Sequence, residues 1–218
     1  MIVLDKELIF PSVETASQEG IVAIGGDLSP ERLILAYKSG IFPWYNQGEP
    51  IIWYSPNPRM VLFPKDLKIS KSMRKILSDN VFEITFNQNF EEVIVNCKTI
   101  KRNDQGGTWI TDEMQKAYIK LHELGIAKSV EVWQNKQLVG GLYGIDLPFQ
   151  QTGSGNIFCG ESMFSKVSNA SKVAFIHLVK KLEKENYNLI DCQVYNDHLA
   201  SLGAIEISRN EFLRFLKN

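Results

Sequence analysis

Cysteine is scarce in this chain: three in 218 residues, an odd number and far apart. That pattern gives neither a disulfide framework nor a Cys-x-x-Cys metal pair, and it suits a reducing compartment. An excess of either charge is also missing, since 24 Lys and Arg stand against 25 Asp and Glu. Broad, whole-molecule affinity for nucleic acid is thereby excluded, and any phosphate contact must come from a local patch. No uninterrupted apolar run is long enough to span a bilayer. The opening Met1-Ile2-Val3-Leu4-Asp5-Lys6-Glu7 is not a signal peptide, because charges end the apolar run almost at once. No spacing of His, Cys, Asp or Glu makes a metal site. The expectation is a cytoplasmic protein with no metal and no other cofactor.

What is present is a core-forming composition, with 44% hydrophobic residues, enough for one large domain or two small ones. Residues 1–60 read differently from the rest and carry six of the eight prolines. One helix is clearly marked there. Ser29 caps it, Pro30 takes its first position, Glu31 its first turn, and Gly40 lies just past its end. An aromatic loop follows with Phe42, Trp44, Tyr45, Trp53 and Tyr54; such a cluster is either a small core or a stacking surface for a base. Ser55-Pro56-Asn57-Pro58 reads as the exit from this unit. Lys65, Lys68, Lys71, Arg74 and Lys75 then crowd a short window, with Lys68, Lys71 and Lys75 at the spacing of one helical face. That face is either solvated or a phosphate-binding patch.

From Val81 the pattern is mixed α/β. Phe82, Ile84 and Phe86 alternate as a strand. Thr111 caps a helix with Met114, Tyr118, Leu121 and Leu124 on its apolar stripe, ending at Gly125. Val130 to Trp133, a turn at Asn135-Lys136 and Leu138 to Gly144 read as a hairpin. Ile157 to Glu161 is a further strand candidate, and a helix runs from Ser168 or Asn169 to about Glu185. In Leu189-Ile190-Asp191-Cys192-Gln193-Val194, Asp191 and Gln193 share one strand face. Two readings are open for that acid: a proton acceptor oriented by the amide, or a buried partner of a distant Lys or Arg. His122 and His177 lie within amphipathic helices and read as structural, as does His198 at a helix start.

Four blocks carry a resemblance: Gly25-Gly26-Asp27-Leu28-Ser29-Pro30, Gly40-Ile41-Phe42-Pro43-Trp44, Cys159-Gly160-Glu161-Ser162-Met163-Phe164-Ser165 and Leu189 to Ala204. Together, across about Ile21 to Arg209, they resemble the bacterial leucyl/phenylalanyl-tRNA–protein transferases. The resemblance implies an α/β (α+β) fold: a small N-terminal domain over 1–60 and an N-acetyltransferase-like (GNAT-like) mixed-sheet domain over 61–218. It implies transfer of Leu or Phe, and Met less well, from aminoacyl-tRNA to the α-amine of proteins beginning with Arg or Lys, marking them for N-degron degradation. An ester is already activated, so no cofactor is required. Laid onto matching residues, it makes Asp191 the proton acceptor and Gln193 its partner. Glu161 faces the cationic acceptor; Leu142, Phe158 and Phe164 line the side-chain pocket. Trp44, Tyr37 and Trp109 are candidates for contacting the terminal adenosine, each equally readable as core, and Lys68, Lys71, Arg74 and Lys75 for contacting tRNA phosphates. Two competing functions stand beside it: an acyl-CoA-dependent N-acetyltransferase and a non-catalytic RNA 3′-end binder. The first draws on Gln150-Gln151-Thr152-Gly153-Ser154-Gly155, which matches a CoA-pyrophosphate loop. That loop must lead straight into a helix, whereas Asn156 to Cys159 read as a strand, so the motif is taken as part of an insertion over 146–155.

Overall fold

The computed structural model describes residues 2–100, 109–147 and 156–217. The first sheet comprises β1 (Ile2–Leu4), β2 (Ile21–Gly25), β3 (Phe42–Pro43) and β4 (Ile52–Tyr54), with α1 (Pro30–Lys38) between β2 and β3. Its order is β1-β2-β4-β3. Ser29 Oγ accepts the Arg32 N–H, Pro30 opens α1, and Gly40 takes a left-handed φ of 74° just past its end.

A second sheet begins at β5 (Arg59–Leu62), followed by α2 (Lys71–Ser78), β6 (Glu83–Phe86), α3 (Phe90–Thr99) and α4 (Asp112–Glu123). Then come β7 (Ala127–Gln134), β8 (Gln137–Leu147), β9 (Ile157–Ser165), α5 (Ala170–Lys184), β10 (Leu189–Gln193), α6 (Asp197–Ser201), β11 (Ile205–Ile207) and α7 (Arg209–Lys217). Its seven strands run β11-β5-β10-β9-β8-β7-β6, and β9 with β10 is the parallel pair among antiparallel neighbours. The mixed α/β architecture with a mixed sheet thus agrees with the sequence.

Each face of the large sheet has its own core, as alternation along the strands requires. One face packs Met60, Leu142, Phe158 and Ile190 against α5. The other packs Tyr143, Cys159, Phe164 and Leu189 against α3 and α4, in an apolar layer continuous with Tyr37, Phe42 and Trp53 of the small sheet. The aromatic loop therefore divides its labour: Phe42, Tyr45 and Trp53 are core, while Trp44 remains 39% exposed.

The basic window needs one correction. Ser70 Oγ caps α2 by accepting the Met73 N–H, so the helix starts at Lys71 and excludes Lys68. Lys68 instead donates its backbone N–H to Leu202 O. Lys71, Arg74 and Lys75 are exposed on α2, and Lys68 is exposed beside it.

Candidate active site

The parallel strands β9 and β10 pair only as far as Cys159 with Asp191. Each then carries a bulge. In β9, Tyr143 faces Ser162 and Gly144 faces Gly160, leaving Glu161 as the extra residue. In β10, Val61 faces Asp191 and Met60 faces Gln193, leaving Cys192 extra. A bulge re-aims a side chain out of strict alternation, and Gln193 completes the departure with a left-handed φ of 66°. Both strands thus break their ladders at one level, and a cavity of about 600 Å³ opens there.

Glu161 lies half-buried in this cavity. Its Oε1 accepts from Tyr37 Oη at 2.7 Å and Gln193 Nε2 at 2.9 Å, and its Oε2 accepts from Tyr118 Oη at 3.0 Å. The Tyr37 and Tyr118 hydroxyl oxygens also lie 2.5 Å apart, so their two O–H protons are shared among three oxygen contacts. Burial pushes the Glu161 carboxyl up to about 7, against the downward pull of those three hydrogen bonds. Burial, and the Glu161 charge next to them, also push both tyrosine hydroxyls well above their ordinary value, so they remain donors. A carboxyl poised near neutrality can take up or give back one proton without leaving its place.

Asp191 sits beneath, with no exposed surface. Arg59 grips it with both ends of its fork, Nε to Oδ1 at 2.8 Å and Nη2 to Oδ2 at 2.7 Å. Arg59 also donates to Gly40 O at 3.2 Å and lies 4.8 Å from the Phe42 ring centroid and 4.6 Å from that of Phe212. This pair ties the small sheet, β5, β10 and α7 together. Asp191 Oδ1 also accepts the Gln193 backbone N–H at 3.0 Å, which steadies the left-handed turn that brings the Gln193 amide to Glu161.

The cavity passes to both faces of the sheet through the gap between the strands. On the α5 face it is apolar, walled by Leu142, Phe158, Phe175, Leu178 and Ile190. The Phe158 ring rests directly on Gly144, where a Cβ would meet it at 2.5 Å and the Cys159 carbonyl at 2.3 Å. At the other side Trp44 and Trp109 line it.

The chain matches the family model described as leucyl/phenylalanyl-tRNA protein transferase over residues 61–217, and the N-terminal domain model of the same family over 26–57. A leucyl/phenylalanyl-tRNA–protein transferase of Flavobacterium johnsoniae is 65% identical over 218 residues, covering 100% of both chains. One from Syntrophus aciditrophicus is 53% identical over 214 residues, covering 98% of this chain and 87% of the relative. The chain belongs to the leucyl/phenylalanyl-tRNA–protein transferase family. It is an aminoacyltransferase. Among solved structures, a ribosomal-protein-alanine N-acetyltransferase from Brucella melitensis is similar at a TM-score of 0.37 and 16% identity, covering 51% of this chain and 79% of that one.

Of the residues this transferase sequence singles out, Glu161, Gln193, Leu142, Phe158, Trp44 and Trp109 line the cavity. Three do not. Asp191 is sealed beneath it by Arg59, which is the second of the two readings left open for that acid. Tyr37 is 2% exposed and turned toward Glu161 rather than into a nucleoside site. Phe164 is buried on the α3 face because, beyond the bulge, it pairs with Gly141 rather than following Phe158. Two residues were missed. Tyr118 read as one member of a helical stripe, and Arg59 carried no local signal because its partner lies 132 positions away. His122 is structural: its ring stacks on Phe90 at 4.3 Å. The Gln150–Gly155 motif lies outside the described residues. The described residues hold no cluster of three or more metal-capable side chains, and none of their helices is long and apolar enough to cross a membrane.

Proposed function

We propose that the chain transfers Leu or Phe, and Met less well, from aminoacyl-tRNA to the α-amine of proteins beginning with Arg or Lys, in the cytoplasm, as the marking step of an N-degron pathway. The observation that supports this reading best is the Glu161 carboxyl, poised near neutrality where the apolar half of the cavity meets the aromatic half. The amine must lose a proton, attack the ester carbonyl and expel the 3′ oxygen, which then takes a proton. Glu161 accepts the first proton and returns one to the leaving oxygen, with its negative form favouring a cationic Arg or Lys terminus. Gln193 holds it by its amide. Asp191 works through position: with Arg59 it fixes the turn that presents Gln193. Much of the rate comes from holding ester and amine together, which supplies about 7–11 kcal/mol in favourable cases.

Leu142 and Phe158 receive the transferred side chain. A pocket that selects by size and apolarity discriminates by only about 1–3 kcal/mol per methylene, so Met is accepted. Trp44 and Trp109 stack the terminal adenine, and Lys68, Lys71, Arg74 and Lys75 meet tRNA phosphates. The division at residue 60, with a small unit over 1–60 and the acyltransferase unit over 61–218, belongs to the same proposal.

The test is transfer of radiolabelled Leu from charged tRNA to a peptide with N-terminal Arg. Acid-stable label should appear with the wild type and fall sharply in Glu161→Gln. Absence of label from the wild type, with the charged tRNA intact, refutes the reading and sends attention to CoA binding.

A further inference from the structure

Strand alternation puts Lys128 and Val130 of β7, Gly144 and Asp146 of β8 and Phe158 of β9 on the α5 face of the large sheet, since Lys128 pairs with Gly144 and Asp146 with Phe158. Over them, the end of α5 brings Leu178, Lys181, Leu182 and Glu185, at the spacing of one helical stripe. Between the two lies a second cavity, of about 180 Å³. Its floor is apolar, made by Val130, Phe158, Leu178 and Leu182. Its rim carries both signs, Lys128 and Lys181 against Asp146 and Glu185. Lys181 is already engaged, paired with Glu185 and 5.7 Å from the Phe86 ring centroid. Lys128 forms no ion pair among the described residues. Asp146 is half-buried and accepts the Tyr187 hydroxyl at 2.7 Å. Burial still holds its carboxyl above the usual carboxylate range, against that bond and the pull of both lysines. Asp146 is therefore short of positive charge, and the C-terminal end of α5 beside it favours a cation as well. An ammonium group supplies that charge, a carboxylate gives Lys128 its counter-ion, and an apolar side chain covers the floor. The cavity is smaller than the roughly 300 Å³ at which sites for drug-sized ligands begin, so it excludes a nucleotide or CoA and fits one amino acid.

We propose that this second cavity binds a free apolar α-amino acid of the size of leucine, its ammonium at Asp146, its carboxylate at Lys128 and its side chain against Val130, Leu182 and the back of Phe158. Phe158 and Leu178 line both this cavity and the catalytic one, so the occupant acts on the wall between them. Filled from behind, the Phe158 ring loses the room to yield to a larger side chain on the catalytic side, because close-packed interiors transmit strain. The free amino acid thereby favours transfer of Leu over Phe. That coupling rests on the reading that Phe158 receives the transferred side chain; the binding does not.

The test is calorimetric titration of the full chain at neutral pH, without tRNA, with L-leucine, L-leucinamide and 4-methylpentanoate. The second probe lacks the carboxylate and the third lacks the ammonium group. Each should bind about tenfold more weakly than L-leucine, since each loses a charge-assisted contact. Asp146→Asn, which keeps the shape and an acceptor for Tyr187, and Lys128→Gln should each weaken L-leucine by a similar factor. No saturable binding of L-leucine, or equal binding of the three probes, overturns the site. An affinity for L-leucine unchanged in both variants also overturns it and gives the amino acid to the catalytic cavity. In transfer reactions with the two charged tRNAs, added L-leucine should lower the ratio of Phe to Leu transferred by the wild type and leave it unchanged in Asp146→Asn. Asp146-dependent binding with an unmoved ratio upholds the site and refutes the coupling. The same binding in a protein that makes no transfer upholds the site while removing the transferase reading.

Discussion

Replacing Glu161 with Gln isolates one proton. Burial carries the Glu161 carboxyl from 4.5 to about 7 in the folded chain, a gap worth about 3 kcal/mol at about 1.4 kcal/mol per unit. Contact with cavity water lowers the expectation to about 2–3 kcal/mol. Folded protein binds this proton more tightly than unfolded chain does. The resulting stability is fully present below 4.5, is lost as pH rises, and is gone above about 7. Gln does not titrate. The stability of wild type minus that of Glu161→Gln should therefore fall by about 2–3 kcal/mol between pH 4.5 and pH 8, while other carboxylates cancel in the difference. Urea unfolding of both proteins across that range reads it directly. Wild-type transfer should rise through an inflection near pH 7, as the carboxylate form takes over. A stability difference that stays flat with pH would refute the reasoning, because a flat difference means the folded site does not hold the proton.

The Arg59–Asp191 pair should behave as a buried ion pair: Arg59→Met costs about 3–5 kcal/mol in urea unfolding, and adding Asp191→Leu recovers much of it. Tyr118→Phe removes one donor to Glu161, so the inflection of the transfer profile should move above 7 by about one unit. Phe158→Leu should change the ratio of Phe to Leu transfer, whereas Phe164→Leu should leave that ratio alone, as measured with the two charged tRNAs. Neutralising Lys71, Arg74 and Lys75 should weaken tRNA binding and flatten its dependence on log salt by roughly 0.7–0.9 for each phosphate that the protein no longer neutralises.

What was legible in the sequence follows from which forces are local. Ser29 with Pro30 and Thr111 ahead of α4 mark helix starts through bonds made within a few residues, and the structure shows each cap. Alternation placed the strands, and separated blocks in the right order showed the family and with it Glu161, Gln193, Leu142, Phe158, Trp44 and Trp109 at one cavity. The two bulges were not legible, because a single inserted residue leaves the apolar pattern nearly intact while reversing which face follows. That is why Phe164 reads as a pocket residue and lies in the opposite core. Nor was the partner of Asp191: a charge buried by one strand must be met by whichever side chain the topology brings beside it, and here that is Arg59 from the neighbouring strand. The sequence by itself marked several helices, the later strands and, through the family blocks, the kind of chemistry. Only the tertiary structure decided which carboxyl faces the cavity and which holds the wall, since burial and long-range pairing, not residue type, set the work each acid can do.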